Sequence, residues 1–420
     1  MSDSARVHIE ELRLSGYRAF ENARLQFDDL TVLVGRNGAG KSTLLDALEF
    51  VRDALTDSLA NALERRGGIQ ALLHHGAREA KVLSVAIHLR LSGGYLHEVE
   101  GRTRLPIVSD ASRDGTLVTY GFSIAPKRGG LGFVVTREVA RSEHQHFVRG
   151  LGNAKQHRSP AVSLPGGPGF RLSNDALGLP FVADVDVLWR AVLEALRTSV
   201  RAYSLSPAAI RAEPPVGGAS VLSRNGSNAG DVLHHLERSK ADVAWLNKHL
   251  AAIVPGLVRV RAETAAGRRL IRFHQRYNKS KTAGVVFDVG DMSDGTLRCL
   301  ALLLALRQKP TPALVCLEEI EDSVHPAALG VLLDAIDAST SHCQVLLTSH
   351  SPEALSHPAV TPERVRVVEW REGSSALFRL SLGAEEMSRP PRSVGKLLRT
   401  NALFTARDSE RVEGDFFAAP

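Results

Sequence analysis

Three hydrophobic patterns divide the chain. In the first, apolar and β-branched residues run on without polar interruption: Leu30-Thr31-Val32-Leu33-Val34, Ala313-Leu314-Val315-Cys316-Leu317 and Gln344-Val345-Leu346-Leu347-Thr348. Short runs of this kind predict buried strands. In the second, Leu83, Val85, Ile87, Leu89 and Leu91 alternate with Ser84, Ala86, His88 and Arg90, and Val118, Tyr120, Phe122 and Ile124 repeat the period. Alternation predicts half-buried strands of an antiparallel subdomain. The third pattern is helical: Leu44, Leu48, Val51 and Leu55; Val185, Leu188, Val192 and Leu196; Leu329, Leu332, Leu333 and Ile336. Each set falls on one face at 3.6 residues per turn.

Punctuation between these segments completes the outline. Residues 6–34 read as a small β-unit, and Pro126-Lys127-Arg128-Gly129-Gly130 as a turn into Phe133-Val134-Val135. Pro160, Pro165, Pro168 and Pro180, with Gly166, Gly167 and Gly169, predict a long loop between 151 and 182. Asp231 to Leu250 predicts one or two helices before Pro255-Gly256. No long heptad array leaves room for a coiled-coil arm.

Composition narrows the class only modestly. The 420 residues are 44% hydrophobic and 23% charged, ordinary for a globular protein, with a net charge of +6. Basic residues gather from Arg259 to Lys281, with Arg268, Arg269 and Arg272 at the centre, and are read either as a solvated strand face or as a duplex DNA footprint. Cys299, Cys316 and Cys343 each lie in an apolar segment, which predicts buried free thiols in a reducing cytosol. The N-terminus lacks a signal-peptide pattern, and the longest apolar run, Cys299 to Leu306, is far short of a membrane span. The expected location is cytoplasmic, with no membrane partner. No histidine lies near a cysteine or carboxylate pattern with zinc spacing.

Candidate chemistry begins at Gly35-Arg36-Asn37-Gly38-Ala39-Gly40-Lys41-Ser42, followed by Thr43. It fits G-x-x-x-x-G-K-[ST] between a predicted strand and a predicted helix, the context this phosphate-binding loop requires. Gly35, Gly38 and Gly40, with Asn37, let backbone N–H groups close on phosphates at a helix N-terminus. Lys41 is expected to reach the β- and γ-phosphates of ATP, and Ser42 to offer its hydroxyl to Mg²⁺.

The other half of the site lies downstream. The strand through Leu317 ends in Glu318-Glu319, one carboxylate for the Mg²⁺ shell and one for the attacking water. The strand through Thr348 ends in Ser349-His350-Ser351-Pro352, and a histidine there can hydrogen-bond a γ-phosphate. Between loop and carboxylates, Ser293 of Met292-Ser293-Asp294-Gly295-Thr296 reads as the cap of a helix, leaving N–H groups and the small Gly295 open to an anion. One chain has no need of a second phosphate-binding terminus for its own nucleotide; two chains facing each other do.

Together these residues resemble an ABC-class ATPase of the RecF and SMC type, in particular the stand-alone ATPases often found beside bacterial defence (abortive-infection) genes. The resemblance covers most of the chain. It rests on Tyr17-Arg18-Ala19-Phe20, the phosphate loop, Ser293 to Arg298, Glu318-Glu319-Ile320-Glu321 with His325-Pro326, and Thr348 to Pro352, and Arg224 to Asn228 matches a further recurring segment. It implies an α/β fold, an ABC-type P-loop NTPase head with a mixed sheet, an antiparallel β-subdomain and a helical insertion. Residues 1–150 would form its first half, 151–285 a loop-rich helical insertion with the basic stretch, and 286–420 the second half.

The resemblance also implies a head-to-tail homodimer holding two ATP molecules, each between Lys41 of one chain and Ser293 and Gly295 of the other. Glu319 would polarise the attacking water, Glu318 support Mg²⁺, and His350 sense the γ-phosphate. Asp322 to His325 would cross the dimer interface. Two departures stand out: Glu318 replaces the usual Asp, and Ile320 stands where proline is common. For the glutamine that reaches Mg²⁺ from the β-subdomain, only Gln70 and Gln145 offer themselves. The expected function is an ATP-gated dimerising switch, slow without a stimulator, acting on DNA in repair or maintenance or on a separately encoded nuclease or toxin in phage defence. A non-hydrolysing ATP-binding scaffold is the alternative that Glu318 keeps open. A transporter ATPase subunit is disfavoured by Met292 to Thr296 and by Arg18-Ala19-Phe20.

Overall fold

The computed structural model describes residues 7–76, 81–103, 115–127, 129, 132–143, 145–150, 161–162, 170–212, 214–276, 284–380, 394–395 and 415–419. The uninterrupted apolar runs form the centre of a six-stranded sheet ordered β10-β14-β15-β3-β16-β17. Strands β3 (Leu30–Val34), β10 (Val200–Tyr203), β14 (Leu314–Leu317), β15 (Gln344–Ser349) and β16 (Val365–Arg371) are parallel; β17 (Ser374–Arg379) returns antiparallel. Every residue of β3, β14 and β15 is buried, because helices cover both faces.

The pleat sorts these strands between two cores. Leu33, Leu314, Cys316 and Leu346 pack towards the helices Lys41–Thr56 and Val187–Thr198. Val32, Val34, Val315, Leu317, Val345 and Leu347 face the helices Asp294–Arg307 and Pro326–Ser339. The edge strand β10 comes from the middle third of the chain, so that third also contributes to this sheet. All three cysteines are buried, and among the described residues none forms a disulfide.

A second six-stranded sheet, β2-β1-β4-β5-β6-β7, is antiparallel throughout. It contains β1 (Val7–Tyr17), β2 (Phe20–Gln26), β4 (Leu83–Leu91), β5 (Thr116–Pro126), β6 (Phe133–Arg141) and β7 (His146–Gly150). The alternation places it correctly, but the expected half-burial does not hold. On β4, Ala86 and His88 are buried and only Arg90 is exposed. The cause lies far along the chain. Phe417 packs against Ala86 and Val139, and Arg13 donates to the carbonyls of Phe416 and Ala418 at 3.0 and 2.8 Å. The polar face is covered by the segment Asp415–Ala419, so its charged residues pair inside.

Two further boundaries differ. Asp186 caps the helix Val187–Thr198 by accepting from the N–H groups of Leu188 and Trp189, which leaves Val185 outside it and exposed. Most of the stretch predicted as a loop lies outside the described residues. Its described parts hold a short pair, β8 (Ala161–Val162) with β9 (Phe170–Arg171), and one turn of helix, Leu179–Val182.

The basic stretch forms an antiparallel sheet of β11 (Leu257–Ala265), β12 (Arg268–Gln275) and β13 (Val285–Asp288), against the helices Ala229–Leu236 and Lys240–Ile253. Part of its charge is balanced. Arg269 is tied to Asp231 at 3.2 Å, and Arg272 to Glu263 at 2.9 Å and to Asp288. Lys279 and Lys281 lie outside the described residues. Among the described residues, no helix is long and apolar enough to cross a membrane.

Candidate functional site

The loop after β3 depends on its glycines for shape. Gly38 and Gly40 have φ of 78° and 106°, a left-handed region that strains any side chain. At Gly35 the constraint is space: a Cβ would stand 2.2 Å from the carbonyl oxygen of Val368 on β16. Ser375 braces the loop from β17, its hydroxyl donating to the Ala39 carbonyl and its N–H to Ala19, both at 2.7 Å.

Lys41 opens the helix Lys41–Thr56 and is only 7% exposed. Its ammonium donates to the carbonyls of Gly35 (2.6 Å) and Arg36 (3.2 Å), closing on its own loop. Burial pushes its pKa down, against the opposing pull of Glu319 and Glu321. Asn37 and Ser42 are exposed at the loop; Thr43 is half-buried and donates its N–H to Gly40.

Strand register sets the rest of the constellation. Ser349 on β15 lies opposite Val34 on β3, and Leu347 opposite Leu317 on β14. The carboxyl ends of three neighbouring strands are therefore level, and Gly35, Glu318, Glu319 and His350 emerge along one edge, the position for ligands in an open α/β sheet. Glu319 has φ of 46°. A surrounding network over-determines that backbone conformation: its N–H donates to Thr348 Oγ1 at 2.9 Å, and its carbonyl accepts from Arg298 at the same distance. Arg298 also donates to the carbonyls of Glu318 (3.0 Å) and Leu205 (2.8 Å) and pairs with Asp322 at 3.2 Å.

Glu318 is held differently. Burial pushes its carboxyl pKa up; Arg224 opposes that rise and Glu319 adds to it. Arg224 lies 3.7 Å from Glu318 and also binds the carboxylate of Glu49, a buried residue of the loop helix whose own pKa burial raises. His350 is exposed on its ring, with Nδ1 3.0 Å from Glu321.

Ser293 caps the helix Asp294–Arg307 as expected, accepting from the Thr296 N–H at 3.2 Å. Gly295 has a second reason to be glycine: a Cβ would lie 2.4 Å from the carbonyl oxygen of Ser323. The helix N-terminus is thus packed directly on the turn that follows the carboxylates. Arg211 steadies it, pairing with Asp294 at 2.6 Å and donating to Met292 at 2.7 Å.

Neither glutamine candidate is drawn to the phosphate loop by its contacts. Gln70 is exposed, and its carbonyl accepts from His75. Gln145 sits in the turn between β6 and β7, with its side chain beside Asp186. Sequence reasoning gave no role to Glu49, Arg224, Arg298 or Ser375. Glu49 had a signal, a carboxylate among the apolar residues of the loop helix; the others act through contacts that no local spacing encodes.

The cradle fits a magnesium nucleotide. At Gly38 the Cβ position is open, among the described residues the Lys41 ammonium hydrogen-bonds only loop carbonyls, and Ser42 with Glu318 offers the oxygen ligands magnesium favours. A phosphate loop facing strand-end carboxylates across a parallel sheet defines a P-loop NTPase.

The comparisons refine the class. A family model described as "AAA ATPase domain" matches residues 8–80, and one described as "AAA domain, putative AbiEii toxin, Type IV TA system" matches residues 192–356. "Retron Ec83 probable ATPase" of Escherichia coli is 29% identical over 94 residues, 22% of this chain and 17% of that protein's length. Among solved structures, the Smc head bound to the C-winged helix domain of ScpA aligns with a TM-score of 0.56 at 18% identity, over 89% of this chain and 98% of that one. The Smc head with an extended coiled coil, bound to the C-terminal domain of ScpA and derived from Pyrococcus furiosus, gives 0.52 at 15% identity, over 89% and 96%. The fold is that of an SMC head, and the matched segments resemble AAA-type ATPase domains.

Proposed function

We propose that the chain binds MgATP between two copies of itself and hydrolyses it, so that ATP closes the dimer and turnover reopens it. The observation that carries this reading is the helix terminus at Ser293 and Gly295. It is capped and packed on the turn after Glu319, and a nucleotide on the chain's own loop would not need a second helix terminus.

On this reading Lys41 exchanges the carbonyls of Gly35 and Arg36 for phosphate oxygens. Glu318, now 3.7 Å from Arg224, and Ser42 would hold the magnesium. Magnesium supplies charge neutralisation at the phosphates. Glu319, set by Thr348 and Arg298, orients and polarises the attacking water, while His350 faces the γ-phosphate from the end of β15. Ser293 and Gly295 of the second copy close over the nucleotide.

We further propose that the switch acts on a separately encoded effector protein, a toxin or nuclease of a defence system, rather than on duplex DNA. The retron ATPase relative and the toxin–antitoxin family description support this setting. The DNA reading is weakened because Arg269 and Arg272 are engaged by carboxylates of their own chain. Glu319→Gln tests the core of the proposal by light scattering. It should double in mass with ATP and not with ADP, and hold unhydrolysed ATP. A variant that stays monomeric with ATP and hydrolyses it normally contradicts the proposal.

A further inference from the structure

Glu321 follows the two carboxylates by two residues and has no role in the site as described so far. Ile320, fully buried in the core, fixes the backbone before it. Its carboxylate reaches across to the end of β15, where Oε1 accepts from the His350 N–H (2.6 Å) and the Ser351 N–H (3.1 Å) and lies 3.0 Å from His350 Nδ1. The other oxygen, Oε2, is buried without a partner, although the charge of Glu321 is felt at Lys41.

Each detail bears on His350. Two backbone donors fix the chain at that residue, and the same oxygen stands beside its ring. A carboxylate oxygen beside Nδ1 leaves Nε2 as the ring atom that can face a phosphate. A buried carboxylate oxygen without a partner is costly for the fold, and such costs concentrate at functional positions.

We propose that Glu321 is the positioning residue for His350: it fixes the ring so that Nε2 meets the γ-phosphate of the chain's own nucleotide. The proposal rests on the reading of His350 as the γ-phosphate sensor. It predicts that Glu321 matters only through His350.

A double-mutant cycle on the full chain tests this, with kcat and KM for ATP and the ATP-dependent dimer mass as readouts. His350→Ala should lower kcat about 10- to 100-fold, the worth of one charge-assisted hydrogen bond. Glu321→Ala should cost a similar factor, and the double variant should be no slower than His350→Ala alone. Glu321→Gln, which keeps an acceptor oxygen without the charge, should retain part of the activity. It replaces Glu321→Ala in the cycle, with the same criteria, if the alanine variant does not fold.

Additive losses, or wild-type turnover in the Glu321 variant beside an impaired His350→Ala, overturn the link and leave the sensor reading standing. Wild-type turnover in His350→Ala overturns the sensor reading and the link together.

Discussion

The two large sheets use charge in opposite ways. In the parallel sheet the strands flanking the site, β3, β14 and β15, are buried along their whole length. Its working charges, Lys41, Glu318, Glu319 and Glu321, stand beyond the strand ends. In the antiparallel sheet Glu11, Arg13, His88, Glu138 and Arg149 are buried on or beside the strands themselves. Charge at a strand end can exchange partners with a ligand, as Lys41 holding its own loop carbonyls illustrates. Charge sealed within a layer has no alternative partner and serves to fix register and contact. The strands beside the site thus keep charge at their ends, whereas the antiparallel sheet seals it inside; Arg366 of β16, buried and paired with Asp28, is a sealed charge within the parallel sheet.

Substitutions should separate the two roles, and the largest effect is expected at a strand end. Glu319→Gln should lower steady-state ATP turnover about 10²-fold or more, as loss of a water-polarising carboxylate does. Its melting temperature should stay near wild type. Glu138→Ala should do the reverse. Glu138 accepts from the N–H groups of Gly178 (2.6 Å) and Leu179 (3.0 Å) and from Tyr120 (3.0 Å), with Arg149 at 3.9 Å. Removing it should cost about 3–5 kcal/mol in denaturant unfolding, with ATP affinity of the folded fraction unchanged.

A smaller effect is expected from acid. Burial, and after it the charge of Arg13, pushes the pKa of His88 down to about 4, from an ordinary 6.5. The unfolded chain then takes the proton first, so stability present above about pH 6.5 is lost as pH falls towards 4. At about 1.4 kcal/mol per pH unit the loss approaches about 3 kcal/mol. Urea titrations across this range should show it, and His88→Gln should flatten it. Smallest of all should be Arg90→Ala. Arg90 pairs with Glu10 at 2.9 Å, but it is the exposed position of β4, and the change should stay under about 1 kcal/mol.

What the sequence made legible follows the same division. The phosphate loop, the two carboxylates, His350 and the Ser293 cap are local patterns, and the apolar runs beside them identify the strands that carry them. The antiparallel strands were also legible, but their polar face was not. Alternation implies water on that face, whereas the cover comes from Phe416 to Ala418, some four hundred residues from Arg13. Arg224 meets Glu49 across a separation of 175 residues, and Arg298 reaches Glu319 across 21. Strand β10 escaped because it is only four residues long and carries Arg201, which is charged yet belongs to the core sheet.

The central claim is that one nucleotide is held by Lys41 of one copy and Ser293 of another, and mixing two disabled chains tests it most directly. Lys41→Ala and Ser293→Arg should each be inactive alone. A mixed dimer regains a single site in which Lys41 and Ser293 are both intact, so combining the purified variants should restore ATP hydrolysis. A mixture no more active than its separate components, with both variants folded, would contradict a site shared between copies.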